Sequence, residues 1–165
     1  MRRSLTFVGV AAAALAAGGA TIAAASGSAK DHHHPVEVIQ FVEETPPGGN
    51  VALDLDHSGG SPPDTVGDQL AFTADLLVGG RKVGFNGGFC QLVGLPGLFH
   101  CIATDSFPGG QLTVQGINDF SQGNGPHHLA ITGGTGRYRK AHGEVEFLLN
   151  TPDPDHVQVT ARIVR

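Results

Sequence analysis

Three side chains stand where strand alternation would turn a polar group toward apolar partners: Glu43, Asn86 and Asp105. In a strand, residues two apart share a face. Glu43 therefore lies on the same face as Ile39 and Phe41, which puts it at the rim of a cavity, and Asn86 and Asp105 share a face with Cys90 and Phe107 across a hairpin. A carboxylic acid among apolar groups either has its pKa raised or finds a hydrogen-bond partner. Such a group protonates a leaving oxygen or stabilises a developing cation. Glu43 and Asp105 are the candidate catalytic acids, with Phe41, Phe72, Asn86 and Phe107 as candidate ligand-cavity residues. The plainer readings are a solvated strand end for Glu43 and a turn-proximal carboxylate satisfied by backbone N–H groups for Asp105.

Other clusters suggest less. His32-His33-His34 follows the N-terminal segment. A chain cut after Ala29 would begin Lys30-Asp31-His32, a pattern that can hold Cu(II) or Ni(II) in a square plane. A polar disordered tail over residues 30–35 is the reading we adopt. His127 and His128 are adjacent in a strand, so their rings point to opposite faces and cannot chelate together. Asp54, Asp56 and His57 read as a solvated strand face and its end. The chain has no G-x-S-x-G elbow, no H-E-x-x-H and no cysteine metal spacing, so no metal and no cofactor is expected.

The elements that must position the candidates begin after an export signal. Arg2 and Arg3 precede an uncharged apolar or small stretch over residues 5–25, with Ala23-Ala24-Ala25 and Gly27-Ser28-Ala29 as cleavage sites. That order reads as a secretory signal over residues 1–29, with a membrane anchor as the rival reading of an apolar run that is short for a span; the signal predicts a secreted, extracellular protein with no membrane attachment after cleavage. The remaining 136 residues suffice for one domain with a real core, over residues 36–165. Loss of Arg2 and Arg3 shifts the formal charge from −5 to −7. An acidic chain without a basic cluster argues against nucleic acid and anionic membrane as partners.

The domain reads as strands. Short apolar or alternating runs are separated by Gly, Pro, Asn and Asp, and no convincing amphipathic helix appears. Strands are expected over residues 36–43, 51–56, 68–78, 82–93, 98–106, 111–119, 127–132, 143–149 and 156–164. All ten prolines fall between these runs or at their edges, as the missing N–H of proline requires. So many short, evenly spaced strands make a barrel or a sandwich.

Two cysteines fix one register. If Gly94-Leu95-Pro96-Gly97 is a four-residue loop, Val93 faces Leu98 and Cys90 faces Cys101. Directly opposed antiparallel residues approach closely enough for a disulfide, and export supplies the oxidising compartment. A Cys90–Cys101 disulfide follows.

Three ordered segments carry a family resemblance. The first is Gly67-Asp68-Gln69-Leu70-Ala71-Phe72, followed by Val83-Gly84 and Gly87-Gly88-Phe89-Cys90. The second is Gly109-Gly110-Gln111-Leu112-Thr113-Val114-Gln115-Gly116. The third runs from Leu129 through Gly133-Gly134-Thr135-Gly136-Arg137-Tyr138 to Ala141-His142-Gly143-Glu144-Val145. Together they resemble the allene oxide cyclase and dirigent barrels. The resemblance implies an all-β, eight-stranded antiparallel β-barrel with a ligand cavity, often assembled as a homotrimer. The glycine motif lacks the Lys-Ser/Thr ending and following helix of a phosphate loop. We read it as a tight turn that needs positive φ.

Carried over by position, the family's first-strand glutamate falls at Glu43 or Glu44, its cavity aromatic at Phe72 and its cavity cysteine at Cys90. The family's Asn and Ser-Pro have no counterpart after Glu44, where the chain reads Thr45-Pro46-Pro47-Gly48. Its third-strand asparagine is Ala74 here. These departures, and a cysteine held in a disulfide, argue against allene oxide cyclase activity itself. The expected partner is an apolar small molecule. Three roles compete: an isomerase or cyclase, a dirigent-like binder that orients a reactive intermediate, and a structural or interaction barrel plugged by Phe41, Phe72 and Phe107.

Overall fold

A computed structural model describes residues 35–57, 59, 63–122, 125–149, 153 and 155–165. The readings of residues 1–29 as a signal and of His32, His33 and His34 as a tail lie outside the described residues. Nine strands follow in order: β1 (Val36–Glu44), β2 (Asn50–Leu53), β3 (Gln69–Val78), β4 (Arg81–Gly94), β5 (Leu98–Phe107), β6 (Gly110–Asp119), β7 (His127–Gly134), β8 (His142–Leu148) and β9 (His156–Val164). Every described proline lies outside them. Among the described residues, no helix is long and apolar enough to cross a membrane.

The nine strands make eight staves, all antiparallel. Each of β3 to β8 pairs with its successor, and β1 closes the barrel by pairing with β9 on one side and β3 on the other. The ninth strand adds no stave because β1 and β2 share one edge of β3. Glu44 faces Asp75, and six residues later Asn50 faces Phe72. Residues 45–49 loop out between them. The gap is bridged where the Thr73 N–H donates to the Gly49 carbonyl at 2.8 Å. The run expected over residues 51–56 is thus a short continuation of the first stave. Its acidic end leaves the ladder after Leu53.

The hairpin of β4 and β5 keeps the register expected from the cysteines, with a different turn. From Phe85 and Ser106 to Leu92 and Phe99, partner numbers add to 191, so Cys90 faces Cys101, and the two sulfurs are bonded at 2.00 Å. Val93 does not face Leu98; Gly94 does, and Val93 is extruded as a bulge.

The glycine motif is a backbone-on-backbone contact. Gly136 has φ +57°, and a Cβ there would lie 2.1 Å from the Gly109 carbonyl oxygen. The Arg137 N–H donates to that same oxygen at 2.9 Å. Gly133 and Gly136 have positive φ as expected. Gly134 does not; it is small because a Cβ would strike the Gln111 carbonyl at 2.2 Å.

The barrel interior has two halves. On one side Phe41, Leu76, Leu112, Ile131, Ala161 and Ile163 pack into a filled core with Phe107, Val83 and Tyr138. Phe107 meets Phe41 edge-on at 5.4 Å and Tyr138 at 6.1 Å. The next inward layer, two residues along each strand, opens into a cavity.

Candidate functional site

The cavity has a volume of about 420 Å³ and is lined mainly by apolar side chains. Its floor is the filled half. β3 shows the boundary: Leu70, Phe72 and Ala74 line the cavity, while Leu76 lies beneath it, fully buried. β5 repeats the pattern, with Phe99, Cys101, Ala103 and Asp105 lining the cavity and Phe107 below. Toward the open end the wall is aromatic. Phe120 stands 5.4 Å from Phe99 and 6.5 Å from Phe147, ring centre to ring centre. Gly88 makes room for the ring of Phe72: a Cβ on Gly88 would lie 2.8 Å from Phe72 Cζ.

Three polar groups sit in the layer just above the floor. Asn86 faces Asp105 across β4 and β5 and faces Ala74 across β3 and β4. β1, paired with β3 so that Glu43 faces Leu76, brings the Glu43 carboxyl up to Asn86. Asn86 Nδ2 donates to Glu43 Oε1 at 2.7 Å. Asn86 and Asp105 are buried, at 1% and 2% exposure. Glu43 keeps some accessible surface and lines the cavity with them.

Burial dominates the electrostatics. Loss of solvation raises the Glu43 pKa well above the usual carboxylate range, and the nearby Asp105 carboxylate raises it further; the Asn86 amide opposes both. Asp105 is raised by burial, again against the Asn86 amide. Two neighbouring carboxyl groups in a poorly solvated site resist double ionisation, so the pair retains a proton where isolated carboxylates have lost theirs. The site can therefore offer an acid O–H, a carboxylate and an amide to one ligand group.

The sequence candidates separate by depth. Glu43, Phe72, Asn86 and Asp105 line the cavity, with Glu43 bonded to Asn86 near the floor and not at the rim expected for it. Phe41 and Phe107 point inward but lie outside the lining, one layer deeper, in the filled half. Alternation gives the inward face of a strand and carries no information about depth along the barrel. Cys90 and Cys101 join the wall as a disulfide. His127 points inward and is buried, with burial pushing its pKa down, while His128 points out.

Asp68 acquires a role that its place at a strand start did not announce. Its Oδ1 accepts from the Leu55 N–H at 3.0 Å. Its Oδ2 accepts from the N–H groups of Asp64 and Thr65, each at 3.1 Å. These bonds lower its pKa to about 2. They tie down the loop that carries Pro63 over the cavity. The turn Thr65-Val66-Gly67 just upstream was the available signal, since Asp captures local backbone N–H groups at turns. Asp54 and Asp56 bring carboxylate oxygens within 4.8 Å of Asp68. Their expected solvated face is thus partly a cluster around Asp68, to which we assign no ligand.

Small closed barrels either fill their interior with side chains or keep a chamber for a molecule. This one does the first in one half and the second in the other. Residues 51–164 match the family described as allene oxide cyclase barrel like domain, and the chain belongs to that family. The matched span begins after β1, the strand that supplies Glu43.

Solved structures share the fold. A pyocyanin demethylase superposes with a TM-score of 0.61 at 24% identity, over 78% of this chain and 99% of that one. A pterocarpan synthase dirigent protein gives 0.64 at 19% identity, over 79% and 88%. The Diels Alderase AbmU from Streptomyces koyangensis gives 0.62 at 18% identity, over 79% and 63%. No curated protein sequence matches the chain.

Proposed function

We propose that this protein is an exported barrel that takes a mostly apolar small molecule into its cavity and steers an isomerisation or cyclisation there. The observation that carries this reading is a buried pair of carboxyl groups, Glu43 and Asp105, at the floor of an apolar chamber of about 420 Å³. Chambers of this size with a few convergent polar groups suit small ligands. In this reading the walls fold a flexible substrate into a reactive shape, an effect of orientation rather than of strong chemistry. The protonated member of the pair donates to a substrate oxygen, and the ionised member faces positive charge as it develops.

The named functions of the neighbours support small-molecule handling in a barrel of this shape: a demethylase, a dirigent synthase and a Diels Alderase. Export rests on the N-terminal signal pattern and on the disulfide. Assembly as a homotrimer rests on the family resemblance; light scattering on the eluting protein tests it.

The test is mass spectrometry of small molecules carried by the purified exported protein after exposure to culture extract. A specific ligand that the protein converts, and that Glu43→Gln or Asp105→Asn leaves unconverted, supports the steering reading. A ligand held unchanged, with altered product stereochemistry only when another enzyme acts, replaces it with a dirigent-like binder. Recovery of nothing above a denatured control overturns both and favours a structural or interaction barrel.

A further inference from the structure

The buried amide of Asn86 is only half used. Its nitrogen donates to Glu43 at 2.7 Å and also favours the charged form of Asp105. Asn86 Nδ2 points at Glu43, which turns the oxygen of the same amide the other way. Oδ1 then has no hydrogen-bond partner among the described residues, on a side chain 1% exposed that lines the cavity. A buried acceptor is met by a donor in nearly every native protein. Of its strand neighbours, Asp105 faces Asn86 on β5 and the apolar Ala74 faces it on β3, with Cys90 the next cavity-lining residue on β4.

We infer that Asn86 Oδ1 is a specificity-determining acceptor that selects, among apolar molecules, those with a hydroxyl group at the end reaching the cavity floor. The inference rests on the reading of the cavity as a ligand chamber and narrows its substrate class. A hydroxyl is the smallest group that donates and accepts at once. It donates to Asn86 Oδ1 and accepts from the protonated member of the Glu43–Asp105 pair. An ether or a ketone only accepts. It satisfies the acid, leaves Oδ1 unmet and excludes any water that would meet it. A hydrocarbon meets neither group.

The experiment compares three probes on the full exported protein with its disulfide intact: 2-naphthol, 2-methoxynaphthalene and naphthalene. The chain has no tryptophan, so probe fluorescence reports binding with little protein background. The ether is more apolar than the naphthol, so burial alone favours the ether. The inference expects 2-naphthol to bind roughly ten-fold tighter or more, the cost of leaving a buried acceptor unmet. It expects this preference to vanish in Asn86→Leu, through a larger loss of affinity for the naphthol than for the ether. Equal affinities for naphthol and ether in the wild-type protein, or a preference for the ether, overturn the hydroxyl assignment and leave the chamber reading standing. A preference that persists in folded Asn86→Leu overturns the role of Oδ1. Failure of all three probes to bind overturns the chamber reading together with the inference. The wild-type comparison needs no variant and decides the hydroxyl preference even where Asn86→Leu does not fold.

Discussion

Asn86 Nδ2 donates to Glu43 Oε1 at 2.7 Å, joining β4 to β1 across 43 residues of sequence and holding a carboxyl group at the floor of an apolar chamber. The bond opposes the effect of burial on Glu43 without cancelling it. The pair formed with Asp105 therefore binds protons more tightly in the folded chain than in the unfolded one.

That difference sets a pH dependence. Both folded-state pKa values lie above the unfolded values, so from about pH 4 upward the folded state holds more protons than the unfolded state. The stability contribution of the pair is fully present below that point and is lost as pH rises through the folded-state values. The urea midpoint should fall with rising pH until the pair is ionised. Glu43→Gln, which removes one ionisation and keeps the shape, should flatten this slope; an unchanged slope would remove the pair from the explanation.

Asp68 has the opposite sign. Its folded-state pKa is lowered to about 2 by backbone N–H groups. Its contribution is present above the unfolded carboxylate value and disappears as pH falls through about 2. Asp68→Asn should lower the melting temperature and, in limited proteolysis, speed cleavage between Asp54 and Gly67. Cleavage at the wild-type rate would show that the loop is held by something else.

The disulfide closes a loop with a sequence separation of 11. Chain entropy alone assigns it about 2–3 kcal/mol. Replacing Cys90 and Cys101 together by alanine should cost about that much in chemical denaturation while retaining the barrel's circular dichroism spectrum.

Gly136→Ala should cost more than an ordinary surface change. It combines a left-handed backbone, φ +57°, with a Cβ placed 2.1 Å from the Gly109 carbonyl. Strain of this kind is worth on the order of 1–3 kcal/mol. Gly48→Ala is the control: its φ is also positive, +78°, but the space around it is open. Equal losses in the two variants would leave backbone conformation, and not close packing, as the role of the glycine motif.

Much of the fold could be read from the chain because its signals were local. Proline and glycine marked the strand ends, and the two cysteines fixed the β4–β5 register even though the turn was assigned the wrong length. The merged stave was not legible. Pro46-Pro47-Gly48-Gly49 has the composition of a loop between separate strands, and only the shared edge of β3 shows that the chain resumes the same line. The inward faces of Glu43, Phe72, Asn86 and Asp105 followed from alternation. The hydrogen bond between Glu43 and Asn86 did not, because β1 and β4 are brought together by barrel closure, which no local pattern encodes. Phe41 and Phe107 face inward as alternation says, but their mutual contact places them in the filled half.

That filled half and the hollow half above it have a thermodynamic consequence. One end of the barrel is finished by its own side chains, and the other is left hollow. An occupant that binds only the closed barrel adds to folding free energy by mass action, in proportion to the logarithm of its concentration once saturating. The melting temperature then becomes a property of the protein and its surroundings together. Amide exchange should record where the two meet: slowed by an occupant around Phe72 and Val145, and little altered around Leu112 and Ile163, where the chain has already supplied its own core.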